Sequence, residues 1–190
     1  MQCMKVVGAF SDRDAARAYV NRTGGLVLTA TSGETAHLPF AALTLQVSDD
    51  LVGLREAADV GTYLVCERTM KNQPLAALPV ADHPGSVGIF TMVANPEMGK
   101  AAADAHWRDI HTPIALDVHQ AMTHYYQLSV QHVFDGPDWN GFALCCFASE
   151  DDLRHRFFAT KEGEERVNQD VRTFADTRQS PRRVIAEVGS

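Results

Sequence analysis

Residues 106–113, which read His-Trp-Arg-Asp-Ile-His-Thr-Pro, carry the most unusual local chemistry of the chain. Before them, four apolar residues recur at the spacing of one helix face: Met98, Ala101, Ala102 and Ala105. This pattern predicts an amphipathic helix over residues 96–110. Pro113 is expected to end it, because the residue before a proline is pushed out of the α region and the proline ring cannot continue the hydrogen-bond ladder.

His111 is therefore predicted to lie at the C-terminal end of this helix. The negative end of the helix dipole favours a positively charged imidazole at that position. Trp107 lies one turn earlier on the same face and would provide a flat apolar wall. The stretch thus places a titratable side chain beside an aromatic one, as acid–base chemistry on a hydrophobic molecule requires.

A second informative stretch, residues 130–137, reads Val-Gln-His-Val-Phe-Asp-Gly-Pro and lies in a predicted strand. A helix ending in Trp-Arg-Asp-Ile-His-Thr-Pro followed by this strand resembles the EthD family, over roughly residues 86–188. The resemblance implies the dimeric α+β-barrel superfamily, in which two ferredoxin-like halves pair. The chain departs from the family pattern at Ala103, where a large apolar residue is usual, and at His106, where a Tyr is common. A pocket of altered shape is expected.

The charge balance excludes two classes of partner. A net charge of −7 at pH 7 and a pI of about 5.5 disfavour nucleic-acid backbones and anionic membrane surfaces, since both require clustered Lys and Arg. No apolar run approaches the roughly 20 residues of a membrane span, and the N-terminal residues have no signal-peptide pattern. A small molecule is the expected partner and the cytoplasm the expected location, while a homodimer remains open.

The cysteines give no sign of a metal site. Cys3, Cys66, Cys145 and Cys146 all lie in predicted strands, and neither they nor the histidines have the ligand spacing of a zinc site. In a cytoplasmic protein these thiols are expected to be reduced. Because successive strand residues point to opposite faces, Cys145 and Cys146 are expected on opposite faces of one strand.

Two similar runs of secondary structure are predicted. The first has strands at 4–10, 26–30, 42–47 and from 61, a helix ending before Gly24 and another over 51–58. The second has strands at 87–93, 123–134, 142–147 and 182–188, with helices over 96–110, from 149 and over 161–174. Each run has the β-α-β-β-α-β order of a ferredoxin-like unit.

The expected fold is therefore α+β, with two tandem ferredoxin-like repeats forming an α+β barrel. The N-terminal half would span residues 1–74, a proline-containing linker 75–85, and the EthD-like half 86–190. Each half leaves one apolar sheet face uncovered, and the two faces would be buried against each other. The pocket is expected either in the barrel interior or in the cleft beside the first helix of the second half.

The strand from residue 123 divides its side chains into two sets. The more apolar set is expected to face inward: His124, Tyr126, Leu128, Val130, His132 and Phe134. In this interpretation His111 is the first candidate proton shuttle and His132 the second. Tyr126 is a candidate hydrogen-bond donor to a carbonyl or phenol.

The remaining candidates would shape or orient a substrate. Trp107 and Phe134 are expected as walls, His124 as a further contact, and Arg108 as a partner for a carboxylate. Five of the seven candidates have an alternative interpretation. The alternatives are a helix C-cap for His111, core positions for His132 and Trp107, and exposed positions for His124 and Arg108.

Together these features predict a cofactor-independent lyase, dehydratase or isomerase. It would use His acid–base chemistry on a small hydrophobic or aromatic metabolite, the setting implied by the EthD resemblance. Two alternatives remain: a non-catalytic small-molecule-binding accessory protein of a degradation pathway, and a haem-dependent oxidoreductase. No metal is predicted, and the sequence has neither a phosphate-binding glycine loop nor a nucleophile elbow.

Overall fold

The computed structural model describes residues 2–31, 37–46, 50–72 and 85–189. Within these ranges the strands are β1 Gln2–Phe10, β2 Leu26–Ala30, β3 Ala42–Gln46, β4 Gly61–Lys71, β5 Ser86–Met92, β6 His124–Asp135, β7 Gly141–Phe147 and β8 Val184–Gly189. The α-helices are α1 Arg13–Thr23, α2 Leu51–Ala57, α3 Lys100–His106, α4 Thr112–Val118, α5 Glu150–His155 and α6 Lys161–Phe174. A π-helical turn, Trp107–His111, joins α3 to α4.

The strands form one closed barrel in the order β1-β3-β2-β8-β5-β7-β6-β4, with β4 returning to β1. Every pairing is antiparallel. The first four strands are neighbours in the order β4-β1-β3-β2, and the last four repeat this permutation as β8-β5-β7-β6. Contacts β2–β8 and β4–β6 close the two sheets into a barrel. The mixed α+β fold predicted from the sequence is thus confirmed. The predicted linker, 75–85, lies outside the described residues except for Gly85.

The interior of the barrel is filled with side chains. Tyr126, Leu128 and Val130 of β6 point into it, as their alternation predicts, and are at most 1% exposed. The ring of Tyr63 stacks on that of Trp139 with a centroid distance of 5.7 Å, and Phe142 packs edge-on against both. An eight-stranded barrel is just wide enough for its own side chains. In the part of the chain that the structure describes, side chains occupy the barrel interior, and the cavity described below lies at the other predicted place.

One end of this interior holds a buried ion pair. Lys5 of β1 and Glu67 of β4 face inward with the apolar residues Val7 and Val65. The Lys5 ammonium contacts the Glu67 carboxylate, and the two side chains are 3% and 2% exposed. The apolar core thus ends at a pair of opposite charges that neutralise each other.

The helix over residues 96–110 differs from its prediction at both ends. It begins at Lys100, after a left-handed Gly99 with φ +77°. It does not end before Pro113, because the chain passes through the π turn and continues as α4, with Pro113 in the first turn. Proline is common at the first positions of a helix, and Pro113 occupies such a position in α4, directly after the π turn. His111 consequently lies inside a continuous helical segment and gains nothing from a helix C-terminus.

Among the described residues, no helix combines the length and the apolar character that crossing a membrane would require.

Candidate functional site

A cavity of about 260 Å³ lies outside the barrel, between the C-terminal sheet and the helical segments that cover it. Its walls are mainly aromatic and aliphatic, and the aromatic ones include Phe90, Trp107, Tyr125, Phe157 and Phe174. Two imidazoles, those of His111 and His119, also line this cavity. This is the predicted cleft beside the first helix of the second half, and it combines apolar walls with a few polar groups, as small-molecule sites do.

The π turn brings two histidines onto one carboxylate. His111 Nδ1 lies 2.8 Å from Asp170 Oδ2, and His106 Nε2 lies 2.8 Å from Asp170 Oδ1. Residues five apart lie on different faces of an unbroken α-helix. The extra residue of the π turn, a feature common at functional sites, brings both rings to the same side. Phe174, one turn beyond Asp170 in α6, packs on both rings with centroid distances of 5.3 and 5.1 Å.

Asp170 is held in its charged form at this site. Burial alone would raise the pKa of its carboxyl, but the hydrogen bonds and the charges of His111 and His106 outweigh burial and lower that pKa. An ionised carboxylate only accepts hydrogen bonds, so His111 donates its Nδ1–H. In the neutral ring the lone pair is then on Nε2, which is the nitrogen left for a molecule in the cavity.

A second polar cluster lies on the wall formed by β6 and the π turn. The indole Nε1–H of Trp107 donates to the hydroxyl of Tyr125 over 3.1 Å. Gln127 Nε2 lies 3.2 Å from the same hydroxyl and 3.0 Å from the carbonyl oxygen of Trp107. Thr112 Oγ1 also donates to this carbonyl, over 3.1 Å. Side chains therefore satisfy a carbonyl at the irregular turn and fix Trp107 against the sheet.

His119, which follows α4, is a cavity residue that the sequence did not single out. Its Nδ1 donates to the carbonyl oxygen of Phe157 over 2.6 Å, and its ring lies 4.3 Å from that of Phe157 between centroids. Burial lowers the pKa of His119; the hydrogen bond to Phe157 acts in the opposite direction, and the charge of His111 lowers the pKa further. His119 is thus a neutral imidazole that anchors the segment before α6 to the end of α4.

The stability of the protein is expected to fall as the pH drops below about 6.5, in part through His119. The pKa of His119 is lower in the folded protein than in the unfolded chain. At a pH between the two values the unfolded chain binds a proton that the folded protein does not bind, and this stabilises the unfolded state. In urea denaturation between about pH 8 and pH 5, the variant His119→Gln should show a shallower loss of stability than the wild type. His155→Gln, at an imidazole whose side chain is 72% exposed, is the control. Equal slopes for His119→Gln and the wild type would contradict the prediction.

The seven predicted site residues do not come together around one cavity in the structure. His111 and Trp107 line the cavity. Tyr126 does not, because its correctly predicted inward parity places it in the barrel core, where His124 stacks on it at 6.1 Å. His132 is exposed near the far end of β6.

Phe134 and Arg108 lie outside the cavity as well. The ring of Phe134 contacts His132 at a centroid distance of 4.7 Å. The guanidinium of Arg108 pairs with its neighbour Asp109, with Nε 2.7 Å from Oδ1, and its side chain is 39% exposed. The prediction that His132 and Phe134 face inward is wrong, because the register of β6 against β4 shifts between Val130 and His132 and Val133 packs on the barrel core instead. The inward face of β6 was also the wrong face for the site, since the cavity is on the opposite face.

Two residues that the sequence interpretation missed had detectable signals. Asp170 falls on the apolar face of a correctly predicted helix, one turn from Val167 and Phe174, where a carboxylate is unusual. Tyr125 belongs to the alternate set of β6 that faces the helices. No cluster of three or more potential metal ligands is present among the described residues. Cys145 lines the cavity and Cys146 the barrel interior, so their predicted opposite orientation is confirmed.

Comparison with known proteins supports the resemblance predicted from the sequence. Residues 95–178 match the EthD domain family. A protein described as anthrone oxidase-like is similar in structure, with a TM-score of 0.63, 10% identity, and coverage of 100% of this chain and 91% of the other. A heme-degrading enzyme from Listeria monocytogenes has a TM-score of 0.51 and 11% identity, over 96% of this chain and 98% of the other. No match was found among the curated proteins. At these identities the structural likeness concerns the fold alone.

Proposed function

We propose, on the premise that residues 95–178 form an EthD domain, that the chain catalyses proton transfer on a small aromatic or hydrophobic molecule held beside His111. The observation that carries this proposal is the imidazole of His111, held by Asp170 at 2.8 Å in the wall of a largely apolar cavity. Lyases, dehydratases and isomerases of this class begin by removing a proton from the substrate, which a positioned imidazole can do without a cofactor.

The roles of the surrounding residues follow from their contacts. His111 Nε2 accepts the proton, and the resulting imidazolium is stabilised by the Asp170 carboxylate through Nδ1. His106 donates to the other carboxylate oxygen and fixes its orientation. Trp107 and Phe174 limit the access of water to the ring, which strengthens the interaction between the imidazolium and the carboxylate.

We also propose that the two halves of the barrel, residues 1–74 and 86–190, are ferredoxin-like repeats in tandem. The support is the strand permutation that both halves share, together with two helices flanking the central strands of the first half. In this arrangement the catalytic cavity belongs to the second half and not to the contact between the halves.

We favour a site without cofactor over the haem alternative, because the cavity is small. Pockets that hold drug-sized ligands measure about 300–1,000 Å³, and the present cavity of about 260 Å³ lies below that range. A haem is larger than most such ligands, and the aromatic walls would have to move apart to admit it.

The proposal is tested with 2-tetralone, a small ketone whose C–H bonds next to the carbonyl are acidic. One protein of similar fold is described as anthrone oxidase-like, and anthrone is likewise an aromatic ketone. The wild-type protein should accelerate deuterium exchange next to the carbonyl in D2O, measured by proton NMR, with a rate that saturates in ketone. Exchange no faster than in buffer would contradict proton transfer. If the ketone raises the unfolding temperature without such exchange, the accessory binding protein is favoured instead.

The substitution Asp170→Asn is expected to slow this exchange by about 10- to 100-fold, the equivalent of about 1.5–3 kcal/mol for a hydrogen bond to a charged group. The amide keeps the size of the side chain, but it lacks the charge that stabilises the His111 imidazolium. The matched control is Asp176→Asn, at a carboxylate that caps a surface turn after α6. An exchange rate equal to that of the wild type would show that Asp170 only holds the fold.

A further inference from the structure

We infer that the hydroxyl of Tyr125 donates a hydrogen bond to an oxygen atom of the bound molecule, so that the substrate carries a carbonyl or phenolic oxygen next to its acidic proton. This inference rests on the proposed function and specifies its substrate class. It assigns to Tyr125 the role that the sequence suggested for its neighbour Tyr126.

The first argument is an account of the hydrogen bonds at the Tyr125 hydroxyl. The side chain is 1% exposed and lines the cavity. Its oxygen accepts from Trp107 Nε1 at 3.1 Å, and Gln127 Nε2 approaches at 3.2 Å. The indole N–H can only donate, so the phenol acts as acceptor in that contact. Among the residues that the structure describes, no acceptor takes the phenol's own proton.

A buried donor without an acceptor costs free energy, and buried polar groups in native proteins are nearly always paired. The two donors, Trp107 Nε1 and Gln127 Nε2, approach the phenol oxygen from the π turn and from β6. The proton is therefore available to a molecule in the cavity, whose lining is mainly aromatic and aliphatic. Burial, followed by the nearby Cys145 thiol, raises the pKa of the Tyr125 phenol, which keeps it protonated at neutral pH.

The second argument is the position of the donor relative to the base. Trp107 and His111 lie at the two ends of one π turn, and Tyr125 is hydrogen-bonded to Trp107. All three side chains line the same cavity. A ketone with its oxygen at Tyr125 can therefore present the adjacent carbon to His111.

The chemistry of this pose is balanced within the site. The C–H bond breaks, the proton moves to His111 Nε2, and the electron pair forms the C=C bond of an enolate while the C=O bond becomes a C–O⁻ bond. The charge thus develops on the oxygen that Tyr125 contacts, and a donor aimed there favours the transition state over the ground state. Return of the proton from His111 regenerates the ketone or gives its isomer.

The experiment compares two ligands of nearly equal shape, 2-tetralone and its parent hydrocarbon tetralin, in the wild type and in Tyr125→Phe. The variant should bind 2-tetralone about 3- to 10-fold more weakly, as expected for one hydrogen bond, and tetralin with unchanged affinity. The infrared C=O stretch of bound 2-tetralone should lie at lower wavenumber in the wild type and return toward its value in an apolar solvent in the variant. Tyr126→Phe, on the opposite face of β6, is the control and should leave both readouts unchanged.

The outcomes separate this inference from the proposed function, because binding and the infrared shift need no turnover. An identical C=O stretch in the wild type and Tyr125→Phe overturns the inference, as does an equal loss of affinity for both ligands, which would mean a purely structural tyrosine. A tyrosine-dependent shift without deuterium exchange upholds the contact with the ligand oxygen and overturns proton transfer. Failure of both ligands to bind overturns both.

Discussion

The substitution His111→Gln is expected to slow deuterium exchange into 2-tetralone by about 10²- to 10⁴-fold, the usual contribution of a general base. Glutamine is close in size to histidine and can still donate to the Asp170 carboxylate, 2.8 Å from Nδ1 in the native protein. Its amide cannot accept a proton near neutral pH. The packing against Phe174 is largely retained, so that the change removes the base and little else.

The control for this measurement is His132→Gln, since His132 is an imidazole on the exposed part of β6, away from the cavity. It should leave the exchange rate unchanged. Thermal unfolding of both variants identifies any loss of fold. If His111→Gln exchanges deuterium as fast as the wild type while folded, the base lies elsewhere in the cavity and the proposed mechanism is wrong.

The sequence predicted most of the strands and helices, because alternation and helical spacing are local properties, but it did not predict α4 or the π turn before it. Strand β2 and helix α6 have the predicted limits, and the inward parity of Tyr126 on β6 is correct. The cavity depends on how the helices pack against the sheet, and the local sequence pattern of β6 contains no information about that packing. For this reason a parity that is correct from Tyr126 to Val130 still led to the wrong face for the site, and the register shift after Val130 reverses it for His132 and Phe134.

The π turn explains why the carboxylate partner was missed. Read as a regular α-helix, His106 and His111 lie on different sides, and Pro113 predicts an end. The extra residue in the turn places both rings toward α6, and its irregular carbonyl at Trp107 is satisfied by Thr112 and Gln127. Those partners come from the next helical turn and from β6, so the irregularity depends on tertiary contacts that the local sequence does not contain.

The two halves of the barrel share a strand order but use their outer faces differently. The outer face of the first half is packed tightly by α1 and α2 through Phe10, Tyr19 and Leu54. In the second half the helical segment after β5 is longer, and its π turn holds Trp107 and His111 beside a space that side chains do not fill. Side chains therefore fill the outer face of the first half, while the outer face of the second half contains a cavity and the cluster of His106, His111 and Asp170.

Replacing Glu67 with leucine is expected to lower the free energy of unfolding by about 3–5 kcal/mol, because the Lys5 ammonium would be left buried without its counter-charge. Both side chains are at most 3% exposed and lie at the end of the barrel interior. Urea denaturation at neutral pH gives the measurement. The matched control is Glu187→Leu, whose partner Arg17 is exposed; removing that surface pair should cost no more than about 1 kcal/mol.

The double substitution Lys5→Met with Glu67→Leu separates the loss of a charge partner from the loss of packing. If the cost in Glu67→Leu comes from the unpaired ammonium, removing that ammonium as well should restore most of the lost stability, since well-packed apolar residues replace buried ion pairs at little or no cost. If the double variant is as unstable as Glu67→Leu, the carboxylate stabilises the barrel through contacts other than Lys5, and the explanation by an unpaired ammonium is wrong.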